Sequence, residues 1–134
     1  MKRTPLKKRS KDPAKVLKYL CDALLQQVNK KLHKHCEACG GENQVGHHWI
    51  EKSRSNFLRY RLENIVPLCN SCHVKIHNKF GNNVVGALKV AEIIIKKRGM
   101  EWKEEMERLQ PTYVKTDVSF YLNSQEHLET ILNS

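Results

Sequence analysis

The sequence predicts an α+β fold: a short β-hairpin and several helices assembled around a zinc clamp. Three observations carry this. Two Cys-x-x-Cys pairs, Cys36/Cys39 and Cys69/Cys72, are separated by 29 residues. Two short β-like stretches, 44–50 and 65–68, lie between the pairs. Apolar residues at helical period flank the cysteines on both sides.

Four thiolates on two CxxC turns can surround one Zn2+ tetrahedrally, and the ion then closes the loop between them. The gap is longer than a simple ribbon needs, so a substructure must be inserted. Gly40 and Gly41 follow the first pair and let the backbone turn sharply enough to aim amides at sulfur. Four of the five cysteines are thereby used. The fifth, Cys21, falls on an apolar helical stripe and reads as a small buried residue.

Taken in order, residues 1–12 form a basic, flexible arm. A helix begins at Asp12-Pro13, with Asp as N-cap and Pro at the first helical position. Its stripe of Val16, Leu17, Leu20, Cys21, Leu24, Leu25, Val28 and Leu32 packs on the zinc-bound core. Lys15, Lys18, Gln26 and Lys30 face outward. Residues 44–50 and 65–68 are the hairpin strands, and Pro67 argues for an edge or strand end. Helices are expected over 70–79, 83–98 and 101–109, with Lys96-Lys97-Arg98-Gly99 as a stop signal. Residues 112–123 are ambiguous, and Ser124 is a candidate cap for a last helix over 125–133.

At 134 residues the chain is long enough for one domain with a modest core. No apolar run reaches the roughly 20 residues of a membrane span, and no secretory signal opens the chain. A cytoplasmic location is expected, in the host cytoplasm if the chain is phage-encoded, where paired CxxC spacing argues for metal rather than disulfides. The net charge of +10 is uneven, with 11 Lys/Arg against 2 acids in residues 1–35. Such asymmetry points to a polyanion, most simply nucleic acid.

Between and after the cysteines stand His47, His48, Asn64, His73 and His77. His73 and His77 are four apart on an expected helix, so both imidazoles leave one face and can share a metal. His47 can supply a third ligand from the strand side. Adjacent His48 is the candidate general base, and Asn64 can pin the hairpin that carries it. Neighbouring residues of a regular strand face opposite ways, so a bulge or strand end is expected at His47-His48. Arg54, Arg59, Arg61 and Lys75, with Lys7, Lys8 and Arg9 of the arm, are candidate phosphate contacts. His33, His35 and His127 read as ordinary surface residues.

This constellation resembles the HNH (ββα-metal) nuclease motif, including the paired His-His and the CxxCHxxxH ending of some branches. The resemblance implies a single nuclease domain over 13–134, with core 36–80 and a C-terminal helical part 83–134. In the ββα-metal core, hairpin and helix sandwich a divalent ion such as Mg2+, Mn2+, Ni2+ or Zn2+, beside a four-Cys structural zinc. His48 matches the base, Asn64 the central Asn, and His47, His73 and His77 the ligands. Hydrolysis would leave 5′-phosphate and 3′-hydroxyl ends.

LRYRLENIVPLCNSC, the preceding CxxCG, the KRTPLKKRS arm and the later Ile/Val-rich and Trp-containing helices resemble phage NinG/Rap recombination nucleases. That likeness implies branched or junction DNA as substrate and a role in DNA recombination. The family tends to show Gly-His followed by an aromatic where this chain has Gly46-His47-His48-Trp49, and often Asn at His73. The choice between His47 and His48 as base therefore rests on the wider HNH register, which favours His48. A non-catalytic zinc-containing DNA-binding module, a general HNH nuclease of homing, restriction or packaging type, and an RNA-directed nuclease are the competing readings. The helices after residue 83 could close a homodimer.

Overall fold

The computed structural model describes residues 12–78 and 81–134. Lys7, Lys8 and Arg9 lie outside the described residues. The first helix, α1 (Pro13–Leu32), starts as its sequence dictates, with Asp12 Oδ1 accepting from the Ala14 amide at 3.1 Å. Cys21, Leu24, Leu25 and Val28 form its buried face, whereas Val16, Leu20 and Leu32 of the expected stripe are exposed.

The main partner of this face differs from the expectation. It packs against the last helix, α5 (Val118–Leu132), in a cluster completed by Tyr60, Ile65, Tyr121 and Leu128. Helix α5 also starts earlier than expected. Asp117 is its cap, accepting from the Phe120 amide at 2.9 Å. Ser124 lies inside the helix, its hydroxyl donating to the Phe120 carbonyl. Tyr121 and Leu128 are two turns apart and both are buried. Burying a Leu or Val is worth about 1.5–3 kcal/mol, enough to override the extended preference of Val118, Phe120 and Tyr121.

The hairpin is antiparallel. Strand β1 (Val45–His48) pairs with β2 (Ile65–Leu68) in the register Val45↔Leu68, Gly46↔Pro67, His47↔Val66 and His48↔Ile65. Pro67 sits in a two-stranded sheet, where each strand is an edge, and its carbonyl accepts from the Glu37 amide at 2.8 Å. Helices α2 (Asn70–His77), α3 (Val84–Arg98) and α4 (Met100–Leu109) follow. Val66, Leu68, Ile76, Val90 and Ile94 pack with Cys36 and Cys72 in a second cluster, and Ile50, Leu58 and Met106 make a third.

Two side chains read as surface features are structural. Gln26 of α1 donates to the Gly46 carbonyl at 3.1 Å and accepts from the Gly46 amide at 2.8 Å. It satisfies the outer edge of β1 rather than facing solvent. Arg98, expected only as a helix stop, chelates the Glu37 carboxylate at 3.0 and 2.8 Å. It also donates to the Glu63 and Ile65 carbonyls and stacks over Trp102. The end of α3 is thus tied to the first CxxC turn and to the start of β2.

The approach of α1 to the hairpin requires Gly46. A Cβ there would lie 2.9 Å from Ile65 Cγ2 and 3.1 Å from Asn29 Cγ. Gly46→Ala should therefore destabilise the fold by about 1–3 kcal/mol, measured as a lower urea midpoint at unchanged m-value.

Candidate active site

The four cysteine sulfurs all lie within 4.8 Å of one another. The first pair sits on a turn closed by Gly40 N–H to Cys36 O at 2.9 Å, with Gly40 at φ +79°, a conformation that favours glycine. Backbone amides point at sulfur: Cys39 N to Cys36 Sγ at 3.5 Å, Gly41 N to Cys39 Sγ at 3.4 Å and Cys72 N to Cys69 Sγ at 3.4 Å. Burial opposes ionising Cys36, but the amides of Cys39, Cys69 and Ala38 outweigh it and bring the thiol down to about 7. Burial and the neighbouring sulfurs push Cys72 up. Four sulfurs this close need a cation if all are to be thiolates, and the donor set suits Zn2+. Cys21, by contrast, is fully buried and raised to about 11 by burial and by Asp22 and Glu129, an inert thiol.

The clamp also sets α2. Cys69 is the N-cap of that helix and its sulfur holds the Cys72 amide. His73 follows Cys72 directly, so fixing the clamp fixes where His73 and His77 emerge. Those two rings meet Nε2 to Nε2 at 2.9 Å. His47 approaches from β1, its ring centroid 5.3 Å from His73 and 4.9 Å from His77. One nitrogen from each of the three lies within 4.8 Å of the others. Burial and the neighbouring His77 hold His73 below the usual imidazole range, leaving it neutral and able to ligate. The three convergent imidazoles fit a divalent metal ion.

His48 turns the other way. Strand β1 ends at this residue, with no bulge, so the two neighbouring side chains leave opposite faces of the strand, although both reach the same groove. His48 Nε2 lies 2.9 Å from the Arg59 carbonyl, which fixes the tautomer with hydrogen on Nε2 and the lone pair on Nδ1. Arg59 is itself anchored, its guanidinium bonded to both oxygens of Asp22 on α1 at 2.9 and 2.7 Å. Burial lowers the His48 pKa to about 4; Lys52 and Arg59 add to the effect, while the Arg59 carbonyl and Asp22 oppose it. His47, His48, His73 and His77 line one groove of about 510 Å³, with Gln26, Glu51, Lys52 and Ser53 in its walls.

That shift has a consequence for stability. The fold keeps His48 neutral down to about pH 4, whereas its ordinary value is 6.5. Stabilisation present above pH 6.5 is lost as pH falls towards 4, because only the unfolded chain takes up the proton in that window. Between pH 7 and 5, zinc-saturated wild type should lose about 2 kcal/mol more stability than His48→Gln by chemical denaturation.

Asn64 is fully buried and holds the turn of the hairpin. Its Oδ1 accepts from the Ile50 amide at 2.8 Å, and its Nδ2 donates to the Ile50 carbonyl at 3.0 Å. The Trp49 amide donates to its backbone carbonyl at 2.8 Å. Residues 49 and 50, expected as strand, are thus held by Asn64 beyond the last ladder pair.

The candidate phosphate contacts scatter. Arg59 is consumed by Asp22, with its side chain 14% exposed, and is not available to a phosphate. Arg61 is exposed and stacks over Phe57 at 3.9 Å, beside a cleft against α5 rather than the histidine groove. Lys75 lies on the other side of α2, in a cleft with Lys89 next to Cys39 and Cys72. Arg54 is exposed and paired with Glu51 at 3.8 Å. Lys52, which was not singled out in the sequence, is the cation that lines the histidine groove. Its signal was its place four residues after His48, just beyond the strand end. No helix among the described residues is long and apolar enough to cross a membrane.

No curated protein and no solved structure matches the chain. Residues 36–79 match the family model described as HNH endonuclease. The match runs from the first cysteine of the clamp past His77, and so spans the clamp, the hairpin and α2. The segment from 36 to 79 is therefore similar to HNH endonuclease domains, and the function that this similarity supports is nuclease or DNA-binding.

Proposed function

We propose that the protein is a metal-dependent DNA endonuclease that hydrolyses phosphodiester bonds with His48 as general base. The observation that carries this reading is His48, held in one tautomer by the Arg59 carbonyl in the groove that contains three convergent imidazoles. A pure binding module has no use for an oriented, neutral imidazole beside a ligand set.

In this mechanism Nδ1 of His48 takes a proton from water as the water oxygen attacks phosphorus. The bond from phosphorus to the 3′ oxygen breaks, and the leaving oxygen is protonated from solvent. The Arg59 carbonyl, already bonded to Nε2–H, stabilises the imidazolium that forms. Asn64 keeps the hairpin end in position, as a positioning residue that does not touch the reacting atoms. His47, His73 and His77 would hold a divalent ion, which would supply Lewis-acid stabilisation of charge on the phosphate and leaving oxygen. The neutral, carboxylate-free donor set ranks Zn2+ and Ni2+ above Mg2+ in affinity. Cys36, Cys39, Cys69 and Cys72 would hold a structural zinc. The likeness to phage recombination nucleases extends the proposal to branched or junction DNA.

Nicking of supercoiled plasmid with Mg2+, Mn2+, Ni2+ or Zn2+, beside duplex, junction and RNA substrates, tests this. Metal-dependent cutting of DNA is expected, with junctions cut faster than linear duplex. Tight binding to DNA without cleavage under any metal would leave only a zinc-containing DNA-binding module. Preferential cutting of RNA would move the substrate class.

A further inference from the structure

The cations of this fold separate into engaged and available ones. Arg59 and Arg98 are spent on carboxylates, Lys97 on the Glu37 carbonyl, and Lys31 on carbonyls at the end of α5. Lys30 and Lys34 are exposed, and among the described residues their ammonium groups have no ion-pair or hydrogen-bond partner. They line a polar cleft of about 430 Å³ with His33, Asn43, Gln44 and Asn70. Glu42 is the acid in its wall.

This cleft is lined by near neighbours of the residues that line the histidine groove. Both depressions run between α1 and the chain entering β1. On the α1 side, Gln26 lines the groove and Lys30, one turn on, lines the cleft. On the strand side, Val45 lines the groove and Gln44 the cleft. Lys30 stands one turn beyond Gln26 in the last turns of α1, and Lys34 lies just past the helix end, in the extended segment after His33. Lys52 lines the histidine groove itself, beside Glu51. Lysines thus line both depressions, Lys52 the groove that holds the histidines and Lys30 and Lys34 the neighbouring cleft.

We infer that this α1–β1 track is the binding path of a nucleic-acid backbone, with Lys30 and Lys34 holding phosphates on one side of the scissile position and Lys52 on the other. The inference rests on the proposed nuclease reading for the place of the scissile phosphate. It assigns the sequence-independent affinity of the folded domain to α1 and the start of the hairpin, rather than to Arg59 or Lys75. Lys30, near the end of α1, and Lys34, just beyond it, present two exposed ammonium groups to one cleft. The exposed side-chain amides of Gln44 and Asn70 beside them can donate to phosphate oxygens without selecting a base.

The test measures binding apart from cleavage. Full-length, zinc-loaded protein carrying His48→Ala is titrated by fluorescence anisotropy against labelled single-stranded and duplex oligonucleotides over a range of salt. Adding Lys30→Gln and Lys34→Gln should weaken binding and lower the slope of log Kd against log salt by about 1.8 on duplex, or about 1.4 on a single strand. Lys96→Gln with Lys115→Gln makes the same charge change elsewhere and should leave the slope unchanged. Equal loss in both pairs, or no loss in either, would overturn the track. Plasmid cleavage by the protein with His48 intact reports separately on the nuclease reading, so either idea can fail without the other.

Discussion

Replacing His48 with alanine is expected to slow DNA cleavage by about 10²- to 10⁴-fold, the usual contribution of a positioned general base. The loss should fall on kcat, with KM for DNA little changed. On the proposed mechanism His48 would accept the proton; it stands outside the His47/His73/His77 cluster and, when neutral, carries no charge that would bind a phosphate. The fold should survive, because the substitution removes one hydrogen bond, to the Arg59 carbonyl, at a partly exposed position. Added imidazole should restore part of the rate to the alanine variant. Asn64→Ala provides the contrast. It strands the buried Ile50 amide and carbonyl, each costing about 1–3 kcal/mol if left unpaired, so activity and stability should fall together. Equal cleavage by wild type and His48→Ala would remove His48 from the mechanism.

The second large effect concerns the clamp. Cys72→Ser, or removal of zinc by a strong chelator, should abolish the cooperative thermal transition rather than shift it. Structural zinc sites in small domains contribute on the order of 10 kcal/mol, comparable with the entire stability of a domain this size. Cys36 and Cys72 are also members of the apolar cluster that contains Val66, Leu68, Ile76 and Ile94. Losing the ion therefore loosens the packing of β2 and α2 as well as the turns. Circular dichroism with and without chelator reads this directly, and a native-like melting curve without zinc would refute it.

The local features were legible in the sequence, and the long-range ones were not. Asp12-Pro13 announced the start of α1, and the two CxxC pairs announced the clamp. The i, i+4 spacing of His73 and His77 placed both rings on one face. What escaped was what depends on a distant partner. Arg59 looks like any loop arginine until α1 brings Asp22 against it, 37 residues away in sequence. Gln26 looks solvent-facing because helical periodicity cannot register a strand laid along the flank of the helix. Arg98 reads as a helix stop, and only the fold shows it meeting Glu37, 61 residues earlier. Helix α5 was truncated because Val118, Phe120 and Tyr121 favour extended structure locally, while their packing against α1 is invisible in the chain. Its Asp117 cap was the available signal.

The two clusters make one device: Cys69 caps α2 and Cys72 precedes His73, so the clamp positions the helix whose imidazoles meet His47. Metal stoichiometry by native mass spectrometry, under conditions that keep a second ion bound, tests that coupling most directly. Wild type should carry one tightly held zinc and one exchangeable divalent ion, and His47→Ala/His73→Ala should keep the zinc and lose only the second. Cys36→Ser should lose both. Retention of the exchangeable ion after loss of the clamp zinc, or loss of the zinc on removing the histidines, would contradict it.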